Sequence, residues 1–81
     1  MKTISYSAAA DKFLAQAAPL ERTRIEAAIE RYAMTGEGDA IIMEGVPARR
    51  MRIGRRWRVV FIETPDQIIV IKVGNRADIY E

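Results

Sequence analysis

Six arginines stand between Arg49 and Arg58 with no acid among them: Arg49, Arg50, Arg52, Arg55, Arg56 and Arg58. The acids fall before them, as in Glu21, Glu26, Glu30, Glu37, Asp39 and Glu44, or after Phe61, as in Glu63, Asp66 and Asp78. A net charge of only +2 therefore hides a locally unbalanced basic block, the mark of a phosphate-bearing partner. Spacing sharpens the point. Arg50 and Arg52 alternate with Met51 and Ile53, and Arg58 alternates with Trp57 and Val59, which is the two-residue period of a strand. If Met51, Ile53, Trp57, Val59 and Phe61 face a core, Arg50, Arg52 and Arg58 emerge together on the opposite face. Farther on, Gly74 can bend the chain, and Arg76, Asp78 and Tyr80 follow two apart, so Arg76 and Tyr80 are candidates to join the cluster. Convergent guanidinium groups make bidentate bonds to phosphate oxygens and stabilise the added negative charge of a pentacoordinate phosphorus. That chemistry suits RNA cleavage.

Other machineries find little support. The chain has no histidine for imidazole acid–base work and no cysteine nucleophile. Glu63, Asp66 and Asp78 are scattered near turns and ends and read as solvated surface, not metal ligands. No glycine-rich phosphate loop precedes a helix. Taken singly, Arg49, Arg55 and Arg56 also read as charges that blunt a hairpin against edge-to-edge association. Taken with Lys72, they are expected to contact an RNA backbone. Trp57 and Tyr32 read as core residues, while Tyr80 reads equally as a functional side chain or a frayed end.

The elements that position these residues can be read in order. Thr3 to Tyr6 carries β-favouring residues, and Ser7 suits the N-cap of a helix from Ala8 to Ala17, whose apolar stripe is Ala10, Phe13, Leu14 and Ala17. Pro19 opens a second helix with Ile25, Ala28, Ile29 and Tyr32 on one face and Arg22, Glu26 and Glu30 on the other. Gly36 and Gly38 sit in a breaker cluster that ends it. The segment from Ala40 to Pro47 has no firm assignment. After Pro47 the period becomes two, and Gly54-Arg55 turns the chain into a strand from Arg56 to Glu63. Thr64 to Gln67 turns it again, and Ile68 to Val73 returns as a near-continuous apolar strand suited to a central place beside the N-terminal strand. The expected architecture is α+β: an N-terminal α-hairpin packed on one face of a small, mostly antiparallel four-stranded sheet, with residues 1–81 forming one domain.

A composition 49% hydrophobic and 30% charged is that of a chain that folds. The lack of cysteine fits a reducing compartment. No apolar run approaches membrane-span length, and Met1 to Ile4 leads into a polar-spaced segment, not a signal peptide, so a cytoplasmic protein is expected.

Gly45-Val46-Pro47, Arg50-Met51-Arg52-Ile53-Gly54, Trp57-Arg58-Val59-Val60-Phe61, Ile69-Val70-Ile71 and Val73-Gly74-Asn75-Arg76-Ala77-Asp78-Ile79-Tyr80, following two helices, resemble the RelE side of the RelE/ParE toxin superfamily. The resemblance spans nearly the whole chain and implies the toxin of a bacterial type II toxin–antitoxin pair. Such a toxin is a ribosome-dependent endoribonuclease that cuts messenger RNA through the RNA's own 2′-hydroxyl, with no cofactor and no membrane. Its partners are a cognate antitoxin, the ribosome and mRNA. The resemblance puts Arg50 and Arg52 at the basic positions of the first active-site strand, Arg58 and Arg76 on phosphate, and Tyr80 at the catalytic tyrosine.

Two departures bear on mechanism. Arg50 and Arg52 stand where well-studied members carry lysine, and arginine does not give up its proton to act as a base. Tyr80 is then the first candidate for the base, with Glu81 and Glu63 behind it. Asn75 stands where histidine is common. Two other functions fit the same fold: a ParE-like binder that poisons DNA gyrase without catalysis, and a non-toxic member that serves only as an antitoxin partner.

Overall fold

Ser7 sets the first change of direction. Its extended backbone and its hydroxyl, which accepts the Ala10 N–H at 3.1 Å, end a strand and start a helix. The computed structural model describes residues 1–79, and its elements are β1 (Thr3–Tyr6), α1 (Ala8–Gln16), α2 (Pro19–Thr35), β2 (Asp39–Ile42), β3 (Arg49–Ile53), β4 (Trp57–Glu63) and β5 (Gln67–Asn75). Pro19 takes the first turn of α2, where a missing N–H is no loss. Gly36 closes the helix in the left-handed conformation (φ 77°), with its N–H on the Tyr32 carbonyl.

The strands form one sheet in the order β1-β5-β4-β3-β2. The architecture is α+β as expected, but the sheet has five strands, not four, and is mixed. The β1–β5 pair is parallel and the other three pairs are antiparallel. The extra strand, β2, lies in the segment without a sequence assignment. It has four residues and gains its pairing only from β3, thirteen residues away at the Asp39–Arg52 pair. β5 does lie between β4 and the N-terminal strand, as its apolar run requires.

Both helices cover one face. Leu14 of α1 and Ile25, Ile29 and Tyr32 of α2 bury against Met51, Ile53, Trp57, Val59, Phe61, Ile68, Val70 and Val73. Phe13 is partly buried and meets Trp57 edge-on at 5.7 Å, and Tyr32 meets Phe61 likewise at 5.1 Å.

Val70 and Val73 are three residues apart yet both point into this core, which an unbroken strand does not allow. The register shifts between Val60 and Phe61, whose partners are Lys72 and Val70, so Ile71 is the extra residue of a bulge. One consequence is that Lys72, as partner of Val60, falls on the face away from the helices.

Candidate nucleic-acid interface

Pairing across β5, β4, β3 and β2 lines up two rows on the helix-free face. The first runs Gly74, Arg58, Arg52, Asp39, and the second Lys72, Val60, Arg50, Ile41. Neighbouring strands lie about 4.8 Å apart and alternate residues about 6.6 Å apart along a strand, so four cationic side chains spring from a small patch. Arg52 and Arg58 are direct partners. Arg58 is half-buried and donates through Nη1 to the Trp57 carbonyl at 2.8 Å and, more weakly, to the Arg55 carbonyl at 3.4 Å. No carboxylate among the described residues pairs with it. Arg52 is exposed and its Nε reaches Asp39 Oδ2 at 3.0 Å, a surface pair that fixes its direction and contributes little stability.

Arg50 departs from expectation. It lies on the helix-free side by register but is only 7% exposed, so it does not emerge with Arg52 and Arg58. It borders a cleft of about 540 Å3 formed with Ile41–Gly45. Arg49 departs further. As partner of Phe61 it points to the helix side, where its Nε lies 3.3 Å from Glu63 Oε1, so it is turned away from the basic rows.

Glu63 is the hub of that second group. Lys2 Nζ lies 2.7 Å from its Oε2, and the Tyr32 hydroxyl donates to its Oε1 at 2.7 Å. The Lys2 ammonium is the main cause holding the Glu63 carboxyl below its usual range; Tyr32 and Arg49 add to this, and partial burial opposes it. Burial first, and the Glu63 carboxylate next, push the Tyr32 phenol up. Glu63 is thus committed to structure on the wrong face to take a proton from a substrate over Arg58. The expectation of a solvated carboxylate, or of a reserve base, is corrected: alternation puts it there, and sequence gives no sign that Lys2 and Tyr32 come to meet it.

Arg55, Arg56 and Arg76 form a separate group at the end of the sheet. The β3–β4 loop has three residues, Gly54 (φ 62°), Arg55 and Arg56, so Arg56 belongs to the turn and not to β4. Arg56 lies over Trp57, its guanidinium carbon 4.7 Å from the ring centre. The Arg76 N–H bonds the Arg56 carbonyl at 2.8 Å, and the three arginines with Asn75 and Ala77 border a cleft of about 450 Å3. Arg76 therefore sits beside Arg55 and Arg56, one row beyond Arg58. After the turn at Asn75, Ile79 folds back and buries against Gly74 on the arginine face. Tyr80 and Glu81, both candidates for the base, lie outside the described residues.

Among the described residues no three side chains of metal-ligating type gather, and no helix is long and apolar enough to cross a membrane.

No protein-family model matches the chain, and no curated protein sequence does. Solved structures do match its backbone. The E. coli RelBE toxin–antitoxin complex aligns with a TM-score of 0.78 over 91% of this chain and 95% of that one, at 15% identity. The Methanococcus jannaschii RelB–RelE antitoxin–toxin complex gives 0.73 over 94% of each chain, at 23% identity. The E. coli DinJ–YafQ complex gives 0.78 over the full length of both, at 13% identity. The chain has the RelE-like fold.

Proposed function

We propose that this chain is the toxin of a type II toxin–antitoxin pair and an endoribonuclease that cuts messenger RNA on the ribosome. The observation that carries this reading is the Arg52–Arg58 pair with Lys72 on the same helix-free face, where Arg58 is held by backbone carbonyls and faces no carboxylate among the described residues. Two like charges placed directly opposite one another weaken a sheet, so their presence calls for a ligand that gains from both. The shared fold with RelE and YafQ supports the toxin assignment, and the RelB and DinJ chains of those complexes support an antitoxin as partner.

In this mechanism the RNA 2′-oxygen attacks the adjacent phosphorus and the 5′-oxygen leaves, giving a 2′,3′-cyclic phosphate and a 5′-hydroxyl end. Arg52 and Arg58 neutralise the charge that accumulates on the phosphoryl oxygens, with Arg76 holding the strand one row beyond Arg58. None of the arginines takes up the 2′-hydroxyl proton. Tyr80 is the proposed base and also the donor that returns the proton to the leaving oxygen. The chemistry uses no metal, and the face needs no small-molecule cofactor. Lys72, Arg55 and Arg56 extend the contact with the RNA backbone, and the site of action is the cytoplasm.

The test is to add the protein to a translating extract and map the new RNA ends, with DNA gyrase supercoiling assayed in parallel. Cleavage within translated codons, leaving 5′-hydroxyl ends, is expected. Intact mRNA with inhibited gyrase would transfer the function to the ParE-like reading, and inactivity in both assays would leave a non-toxic antitoxin partner.

A further inference from the structure

Beside the Arg55–Arg56–Arg76 group lies a second cleft of about 400 Å3 between the α1–α2 junction and the β3–β4 turn. Its walls differ in kind from the first. Phe13, Ala17 and Ala18 give an apolar side, and Gln16, Glu21 and Trp57 give a polar end. The two clefts share Arg56 and Asn75 and are therefore contiguous, one basic and one mixed apolar and polar.

The polar groups are partly used in ways that leave definite valences. Glu21 accepts the Trp57 indole N–H through Oε2, and its Oε1 has no partner among the described residues. Asn75 Oδ1 accepts the Ala77 N–H at 2.9 Å, leaving its amide hydrogens to donate. The Arg56 guanidinium lies over the Trp57 ring, and its side chain is exposed, so a flat ring entering the cleft can reach it.

We propose that these joined clefts bind one nucleotide of single-stranded RNA outside the cleavage position, with the phosphate on Arg55, Arg56 and Arg76 and an amino-bearing base against Arg56 and Glu21. The inference rests on RNA being the substrate and adds to it a base-reading subsite on the helix side of the sheet end. Three arginines with no carboxylate partner among the described residues match a polyanion. The adjoining volume lies in the range of small-molecule sites and carries the few convergent polar groups that fix orientation. A carboxylate acceptor selects a base with an exocyclic amino group, such as guanine, over uracil, which has none.

Trp57 is the chain's only tryptophan and reports on the site directly. The experiment titrates the full chain with guanosine 5′-monophosphate, uridine 5′-monophosphate, ribose 5-phosphate and inorganic phosphate, following Trp57 fluorescence and the indole N–H resonance. Guanosine monophosphate should give a saturable change at Trp57, uridine monophosphate a weaker one, and the base-free anions no shift of the indole N–H. Ala18→Leu, which fills the cleft from an exposed position, should weaken guanosine monophosphate binding on the order of tenfold, and Arg55→Ala should do the same by removing a charged bond. Circular dichroism of both variants should match the parent. No saturable change at Trp57, an equal response to inorganic phosphate, or unaltered binding by Ala18→Leu each overturns the site. mRNA cleavage measured on the same preparation keeps the two readings apart. A chain that cuts RNA without a nucleotide response refutes only the subsite. A response without cutting refutes only the nuclease.

Discussion

Arg52 of β3 and Arg58 of β4 are direct cross-strand partners, and the only acid in their row is Asp39, bound to Arg52. Asp39→Asn removes the one charge that offsets the row. Both partners of that ion pair are about half exposed, so the stability cost should stay below about 1 kcal/mol. The freed Arg52 should tighten RNA binding and steepen its salt dependence by about 0.7 in log–log slope, the share of one extra phosphate contact on a single strand. Weaker binding with a flatter slope in a salt titration would mean that the RNA does not lie over this row.

Glu63 supplies a pH test. Its carboxyl titrates below its ordinary value of 4.5 in the folded chain, so the stability it contributes is present above that value and is lost as pH falls through the lower folded value. Glu63→Gln should cost about 1–2 kcal/mol at neutral pH, by weakening the bonds from Lys2, Tyr32 and Arg49, and the gap to the parent should narrow progressively as pH falls below 4.5. Thermal melts from pH 3 to 7 read this directly, and a gap that persists into acid would place the cost elsewhere. Tyr32, whose phenol is pushed up, contributes on the opposite side: its share is full below pH 10 and is lost as pH rises from 10 through the raised value.

Gly38 is fixed by close approach. A Cβ there would stand 2.9 Å from Met51 Sδ and 3.2 Å from Tyr32 Cδ1, both in the core. Gly38→Ala should destabilise by about 1–3 kcal/mol through overpacking, measured by urea unfolding, while Gly36→Asn, at an open left-handed helix cap, should cost less.

Gly74 seats Ile79. A Cβ at Gly74 would lie 3.4 Å from Ile79 Cδ1, an ordinary contact, so Gly74→Ala should be tolerated. Gly74→Val adds branches that Ile79 must clear, and it should slow RNA cleavage by displacing the residues that lead to Tyr80 while keeping most of the fold. If Tyr80 moves the proton, Tyr80→Phe should cut about a hundredfold slower with RNA binding unchanged. Equal cleavage by the parent and Tyr80→Phe removes Tyr80 from the mechanism.

The sequence carried its strongest signals where the period was long and pure. The helices, the β3–β4 hairpin and the Trp57–Val59–Phe61 core face were all legible from spacing alone. β2 was not, because Asp39–Ile42 offers a single alternation and becomes a strand only by meeting β3. The bulge at Ile71 was hidden inside a run of apolar residues, where either face could be the buried one, and with it the side to which Lys72 points. In the candidate site, the shared face of Arg52 and Arg58 followed from alternation, while their direct pairing is set by the length of the β3–β4 turn. Alternation gave the faces of Arg49 and Arg50 but not the burial of Arg50, nor the ion pair of Arg49 with Glu63, which needs the β3–β4 register. The cleft beside Arg56 had no sequence signal at all, since the α1–α2 junction and the β3–β4 turn come together only in the fold.

In the proposed nuclease, Arg58 serves the chemistry and not the fold. Single-turnover cleavage of mRNA on programmed ribosomes, with protein in excess, compares the parent chain with Arg58→Ala at matched occupancy. The rate should fall by about a hundredfold or more, with an unfolding midpoint close to the parent's, because among the described residues the side chain makes only backbone hydrogen bonds at a half-buried position. Cleavage by Arg58→Ala at the parent's rate would contradict that role.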